Sequence, residues 1–161
     1  MEELTLISNE IAKILIERGD TIAVAETSAG GLVSASLLAV PGASAYYLGG
    51  GVLYTHQSRK ILLGIPDSEM KGIRSSSEPY AQLLAVTIRN KFKTTWGISE
   101  TGAAGPTGNR YGDNPGHTCV SVSGPVDDIK TVETNSQNRS KNMMTFSSEA
   151  LNLLRECLLR A

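Results

Sequence analysis

The stretch Thr21-Ile-Ala-Val-Ala-Glu-Thr-Ser-Ala-Gly-Gly-Leu32 decides how the chain folds. Its first five residues are short, apolar and partly β-branched, as in a strand covered on both faces. Glu26, Thr27 and Ser28 then place a carboxylate and two hydroxyls at the strand's carboxyl end. Ala29-Gly30-Gly31 permits a tight turn, and Leu32, Val33, Leu37 and Leu38 resume the apolar pattern at helical spacing. A strand that breaks through glycines into a helix leaves free backbone N–H groups at the helix start. Such a place suits a phosphate or a developing oxyanion, with hydroxyls beside it. Thr27 or Ser28 can also serve simply as a helix cap, and this stretch alone leaves both readings open.

Upstream, Leu4, Ile7, Ile11, Ile14 and Leu15 recur at helical spacing, and Arg18-Gly19-Asp20 closes that helix. Downstream, the second helix must end near Val40, ahead of Pro41-Gly42. Residues 46–54 read as the next strand, interrupted by Gly49-Gly50-Gly51. Glycines weaken a strand, so this run marks either a bulge or the close approach of a backbone or ligand. Residues 56–63 read as a short basic helix stopped by Gly64-Ile65-Pro66. Ser75-Ser76-Ser77-Glu78-Pro79 is a helix start, with Tyr80, Leu84, Ile88 and Phe92 on one face behind it. Residues 94–101 read as a strand running into Gly102-Ala-Ala-Gly105-Pro106-Thr-Gly108-Asn109, a second loop of small residues. Residues 110–115 read as an exposed, mobile insertion. Residues 117–123 and 129–134 read as strands joined by a turn at Gly124-Pro125. A last helix from about Ser140 carries Met143, Phe146, Ala150, Leu154 and Cys157 on one stripe. The alternation of strands and helices makes the fold class α/β, with helices on both faces of one sheet. In such sheets ligands collect outside the carboxyl ends of strands, where both glycine loops fall.

The 161 residues are 40% hydrophobic and 19% charged with a net charge of −1. They form most simply one domain, residues 1–161, with no bulk attraction to nucleic acid or an acidic membrane. Cys119 and Cys157 are too few and too far apart for a disulfide framework, which favours the cytoplasm. The acidic opening lacks the order of a signal peptide, and no apolar run approaches membrane-spanning length. His56 and His117 have no acid at ligand spacing and the cysteines form no CxxC, so no metal is expected. Neither a P-loop nor a dinucleotide fingerprint occurs. What remains is hydroxyl nucleophile chemistry with a base other than histidine. A partly desolvated lysine can take that proton, and Arg59-Lys60, just after Tyr54, is the obvious pair. The same pair also reads as the solvated face of a short helix.

Ala25-Glu-Thr-Ser-Ala-Gly-Gly-Leu32, Val40-Pro-Gly-Ala-Ser44, Gly51-Val-Leu-Tyr54, Leu63-Gly64, Ser77-Glu78-Pro79, Thr101-Gly-Ala-Ala-Gly-Pro-Thr-Gly108 and Asn114-Pro115 occur in that order. This series resembles the C-terminal domain of the competence/damage-inducible CinA family. The resemblance implies a three-layer α/β/α sandwich with a central mostly parallel or mixed sheet, without metal or cofactor and often homo-oligomeric. Characterised members are nicotinamide-nucleotide amidases, which hydrolyse the carboxamide of nicotinamide mononucleotide (NMN) to the acid and release ammonia. The implied partner is therefore a small nucleotide, not a nucleic acid or a membrane. The family's usual motif is Ala-Glu-Ser-Cys-Thr-Gly-Gly, with its serine as nucleophile. Thr27 stands in that place here, Ser28 replaces the cysteine and Ala29 the threonine. Arg59 stands where the family's usual base is a lysine, with Lys60 one step later, whereas Tyr54 matches. The substrate-binding positions implied are Glu26, Gly30, Gly31, Gly50, Thr101, Gly102, Ala103, Gly105, Pro106, Thr107, Gly108 and Arg139.

These departures carry physical consequences. Threonine's extra methyl restricts χ1 and crowds the attack. Arginine, with a pKa above about 12, is a poor proton acceptor. Lys60 lies about a quarter-turn round a helix from Arg59, so a shifted pair, Ser28 with Lys60, would restore the chemistry one residue along. Ahead of a third, an amidase or deaminase for a different substrate, two functions lead among those consistent with these residues. One is an amidase in which Thr27 or Ser28 attacks, Lys60 or Tyr54 handles the proton and the Gly30-Gly31 N–H groups hold the oxyanion. The loop at residues 102–108, with Arg139 or Arg59, would hold the ribose phosphate. The other is a nucleotide-binding module that has lost catalysis.

Overall fold

A computed structural model describes residues 2–161. Ile22–Glu26 forms β1, buried at every position. Tyr47–Val52 (β2) and Trp96–Ala103 (β3) flank it in parallel, and His117–Ser123 (β4) and Asp128–Glu133 (β5) extend the sheet antiparallel. The order is β2-β1-β3-β4-β5, so the sheet is mixed. The helices are α1 (Glu2–Arg18), α2 (Leu32–Leu38), the single turn α3 (His56–Ser58), α4 (Glu78–Phe92) and α5 (Arg139–Arg160).

The composition of β1 explains its place. Ile22 and Val24 join a cluster with Leu4, Ile11, Leu37 and Leu154, contributed by α1, α2 and α5. Ala23 and Ala25 face the opposite cluster, where Tyr80, Leu84 and Ile88 of α4 pack with Leu53 and Leu63. Successive side chains of a strand point to opposite faces, so a strand with a helical layer on each side must be apolar throughout. Three layers result, with one apolar cluster on each side of the sheet. No helix among the described residues is long and apolar enough to cross a membrane.

Of the alternatives for the glycines of β2, the structure shows a register irregularity beside Ile22–Ala23 and the close approach of a backbone and a ring. A Cβ on Gly49 would lie 2.4 Å from the Phe92 ring, and one on Gly50 would lie 2.6 Å from the carbonyl oxygen of Val24. Gly50 therefore lets β2 close on β1, and it lines neither hollow of the cleft at Tyr54 and Gly102. Nor is the segment at residues 110–115 a loose insertion. Arg74 donates to both carboxylate oxygens of Asp113, at 2.7 and 3.0 Å, and Asn109 donates to the same carboxylate at 2.8 Å.

Since β1, β2 and β3 are parallel, their carboxyl ends share one edge of the sheet, together with the start of antiparallel β4. Both glycine loops leave from that edge.

Candidate active site

β1 ends at Glu26, and the chain turns through residues 27–31 into α2. Neither hydroxyl caps that helix, because the N-cap is Gly31, which has no side chain to cap it. Two buried carboxylates hold the turn instead. Glu26 accepts from the N–H groups of Gly31 (2.9 Å), Val33 (3.1 Å) and Ser34 (3.0 Å) and from the Ser34 hydroxyl (2.7 Å). A carboxylate in this position satisfies the helix's free donors and complements its dipole. Glu100 is the register partner of Glu26 across the β1–β3 pair. It accepts from the N–H groups of Thr27 (3.1 Å) and Ala29 (2.8 Å), from the Thr118 hydroxyl (3.0 Å) and, at short range, from the Ser28 hydroxyl. Burial pushes the Glu100 carboxyl above its ordinary range, and the bonds from Ser28, Ala29, Thr27 and Thr118 draw it part of the way back. Sequence reasoning missed Glu100. The available signal was a carboxylate in the middle of an otherwise uncharged strand, a group that needs several donors if it is buried.

The turn opens onto a cleft of two adjoining hollows that share Tyr54 and Gly102 as walls. Ser28, Ala103, Gly105, Thr107, Gly108 and Arg139 line the larger hollow, of 220 Å³. Thr27 and Thr101 line the smaller, of 60 Å³, with His56, Ser75, Ser76 and Tyr80. Arg139 opens α5 and donates to the Gly105 carbonyl (2.6 Å) and to the Tyr54 hydroxyl (3.2 Å), so its guanidinium closes the larger hollow between Tyr54 and the second glycine loop. One turn later Asn142, also missed from sequence, anchors that loop by donating to the Ala104 carbonyl at 2.8 Å.

Several expected residues lie elsewhere. Glu26, Gly30, Gly31 and Pro106 line neither hollow. The Gly30 N–H donates to the Thr27 carbonyl and the Gly31 N–H to Glu26, so these donors are engaged inside the turn and do not form an oxyanion hole. Arg59 is buried against Tyr80 and donates to the Ile65 carbonyl (3.3 Å) and to Asp67 (2.6 Å). Lys60 reaches the other oxygen of Asp67 at 2.6 Å on the surface. The reason is local: after α3 the chain makes a π turn over Arg59–Leu63, which alters the phase of every side chain in it. The Ser28–Lys60 pair does not form, and no lysine lines either hollow.

His117 supports the smaller hollow from behind. Its Nε2 meets the Ser76 carbonyl at 2.8 Å and its Nδ1 meets Glu133 at 2.5 Å, with Asp113 3.7 Å away. Burial works against protonating the imidazole, but Glu133, the Ser76 carbonyl and Asp113 outweigh it, and the net shift is upward. Among the described residues no group of three or more His, Cys, Asp or Glu side chains is placed to hold a metal ion.

The sequence profile of the CinA C-terminal domain matches residues 4–158. A CinA-like protein of Desulfosudis oleivorans is 35% identical over 152 residues, covering 93% of this chain and 37% of that protein. A CinA-like protein of Desulforapulum autotrophicum is 33% identical over 159 residues, covering 98% and 37%. The chain thus spans little more than a third of the length of these relatives. A crystal structure of a CinA superfamily protein from Klebsiella pneumoniae superposes with a TM-score of 0.91 at 21% identity, covering 98% of this chain and 99% of that one. That of the competence/damage-inducible protein CihA from Agrobacterium tumefaciens gives 0.87 at 20% identity, covering 96% and 95%. At these identities the two structures bear on the fold alone.

Proposed function

The chain belongs to the CinA C-terminal domain family, and we propose that its cleft hydrolyses the carboxamide of a nicotinamide nucleotide, converting NMN and water to nicotinate mononucleotide and ammonia. The observation that carries this reading is that a serine and an arginine, Ser28 and Arg139, line the same 220 Å³ hollow. The guanidinium suits the nucleotide's phosphate, which it can meet through two N–H groups at once. Ser28 is then the hydroxyl that attacks the carboxamide carbon, while Thr27 faces the smaller hollow. Tyr54 lines both hollows and would border the pyridine ring.

Ammonia and nicotinate mononucleotide should appear in equal amounts from NMN, and Ser28→Ala should abolish both. Because no lysine lines the hollows, a nucleotide-binding module without turnover is the second reading. Calorimetric binding of NMN with no ammonia released at high protein concentration would favour it over the first.

A further inference from the structure

We propose that Glu100 is the general base for Ser28, so that the cleft works with a serine–carboxylate pair. The inference takes its substrate from the amidase reading above, but its chemistry can be tested without that substrate. Ser28 Oγ donates to Glu100 Oε1, and Ser28 is one of the residues lining the larger hollow. The carboxylate cannot swing away. Oε2 is held by the N–H groups of Thr27 and Ala29, and Oε1 also accepts from Thr118. These donors favour the charged form of a carboxylate with no solvent exposure, while its burial keeps it a stronger base than a carboxylate in water. Glu26 supplies the internal contrast. All four bonds to its carboxylate come from residues 31–34, and Glu26 lines neither hollow. A carboxylate that served only to stiffen the turn needs no partner on the cavity wall.

The reaction balances with these two groups. Glu100 takes the Ser28 proton as Oγ bonds to the carboxamide carbon, and the carbonyl π pair moves to oxygen. When the tetrahedral adduct collapses, the C–N bond breaks and the amide nitrogen leaves as ammonia, taking the proton from Glu100. An ester on Ser28 remains. Water then adds to it, giving a proton to Glu100, and Ser28 recovers that proton as the acid departs. The sum is amide plus water to acid plus ammonia.

A small sulfonyl fluoride tests the pair directly, because attack by Ser28 Oγ forms an S–O bond, expels fluoride and passes the proton to the base. Mass spectrometry of the intact chain should find the label on Ser28, with a rate that rises with pH through one ionisation. Glu100→Gln should lower that rate by about 10²-fold or more and remove the pH limb. Glutamine fits the site, since its carbonyl can face the Thr27 and Ala29 N–H groups while its amide faces two hydroxyls that also accept. Thr118→Val keeps the carboxylate but removes one donor, so its limb should move to higher pH. That variant, with the wild-type profile, decides the matter if Glu100→Gln fails to fold. The proposal is overturned if wild type is not labelled, if the label falls on Thr27, if Glu100→Gln reacts as fast as wild type, or if Thr118→Val leaves the limb where it was. Labelling of Ser28 with Glu100 dependence, but no ammonia from NMN, would refute the substrate and leave the pair standing.

Discussion

Arg139→Ala should weaken the binding of NMN and leave a ligand without the phosphate untouched. The guanidinium uses one N–H on the Gly105 carbonyl and one on the Tyr54 hydroxyl. An arginine has five, so about three remain for a ligand in the larger hollow. A hydrogen bond to a charged group contributes about 1.5–3 kcal/mol, and 1.36 kcal/mol is a factor of ten. Loss of one such bond therefore predicts an affinity for NMN lower by about 10- to 150-fold. Nicotinamide riboside, identical but for the phosphate, should bind wild type and variant alike. Arg139→Lys should fall between, because a lysine restores charge without the planar pair of donors. Calorimetric titration of both ligands against the three proteins measures this directly, and raised salt should narrow the difference. If both ligands weaken equally, Arg139 acts by positioning the Gly105 loop and not by holding phosphate. If neither weakens, the nucleotide does not sit in this hollow.

Lys60→Ala should leave ammonia release unchanged and shift stability by no more than about 0.5 kcal/mol, because Lys60 and Asp67 form a pair with side chains 46% and 71% exposed. A tenfold fall in turnover would return lysine to the role of base. Glu26→Gln should cost about 1–3 kcal/mol in urea unfolding, since an amide NH2 group must then face N–H donors that the carboxylate satisfied. An unchanged midpoint would mean that the turn does not depend on that charge. His117 has a folded-state pKa above its ordinary 6.5, so its protonated form adds stability that is full below that value and is lost as pH rises through the folded one. Urea midpoints should fall across that interval in wild type and fall less in His117→Gln; parallel profiles would dismiss the imidazole as the cause.

The sequence made the fold legible where one physical pattern had one cause. Residues 21–25 are apolar at every position but the first, and only a strand with a layer on each side explains that. The same holds for Tyr80, Leu84 and Ile88, which lie on the buried face of α4. The site was harder because its signals had two causes each. A glycine marks close approach but not what approaches: Gly49 and Gly50 admit a phenylalanine ring and a backbone carbonyl, while Gly105 borders the cavity. Arg59 and Lys60 stand out by their distance from Tyr54, and Lys60's offset from Arg59 rests on helical phase, which the π turn changes. Glu100 was overlooked because its meaning depends on a residue more than seventy positions earlier in the chain. Asp113 gave no sign in its own neighbourhood that Arg74 would pin it.

The two carboxylates also explain why the turn has its particular sequence. Glu26 and Glu100 are register partners on parallel strands, so their side chains emerge next to each other on the face that α2 covers. Two buried carboxyl groups on neighbouring strands need several donors between them to replace the water they have lost. The turn supplies them by division: Gly31, Val33 and Ser34 go to Glu26, while Thr27, Ser28 and Ala29 go to Glu100. Gly30 and Gly31, at φ of 67° and 100°, give the chain the left-handed bend that presents donors to both sides. A motif that reads in sequence as a phosphate cradle is therefore filled by the protein's own anions. Under the proposed function a ligand's anion would have to find its charge elsewhere, and Arg139 on α5, which lines the same hollow as Ser28, is the cation available.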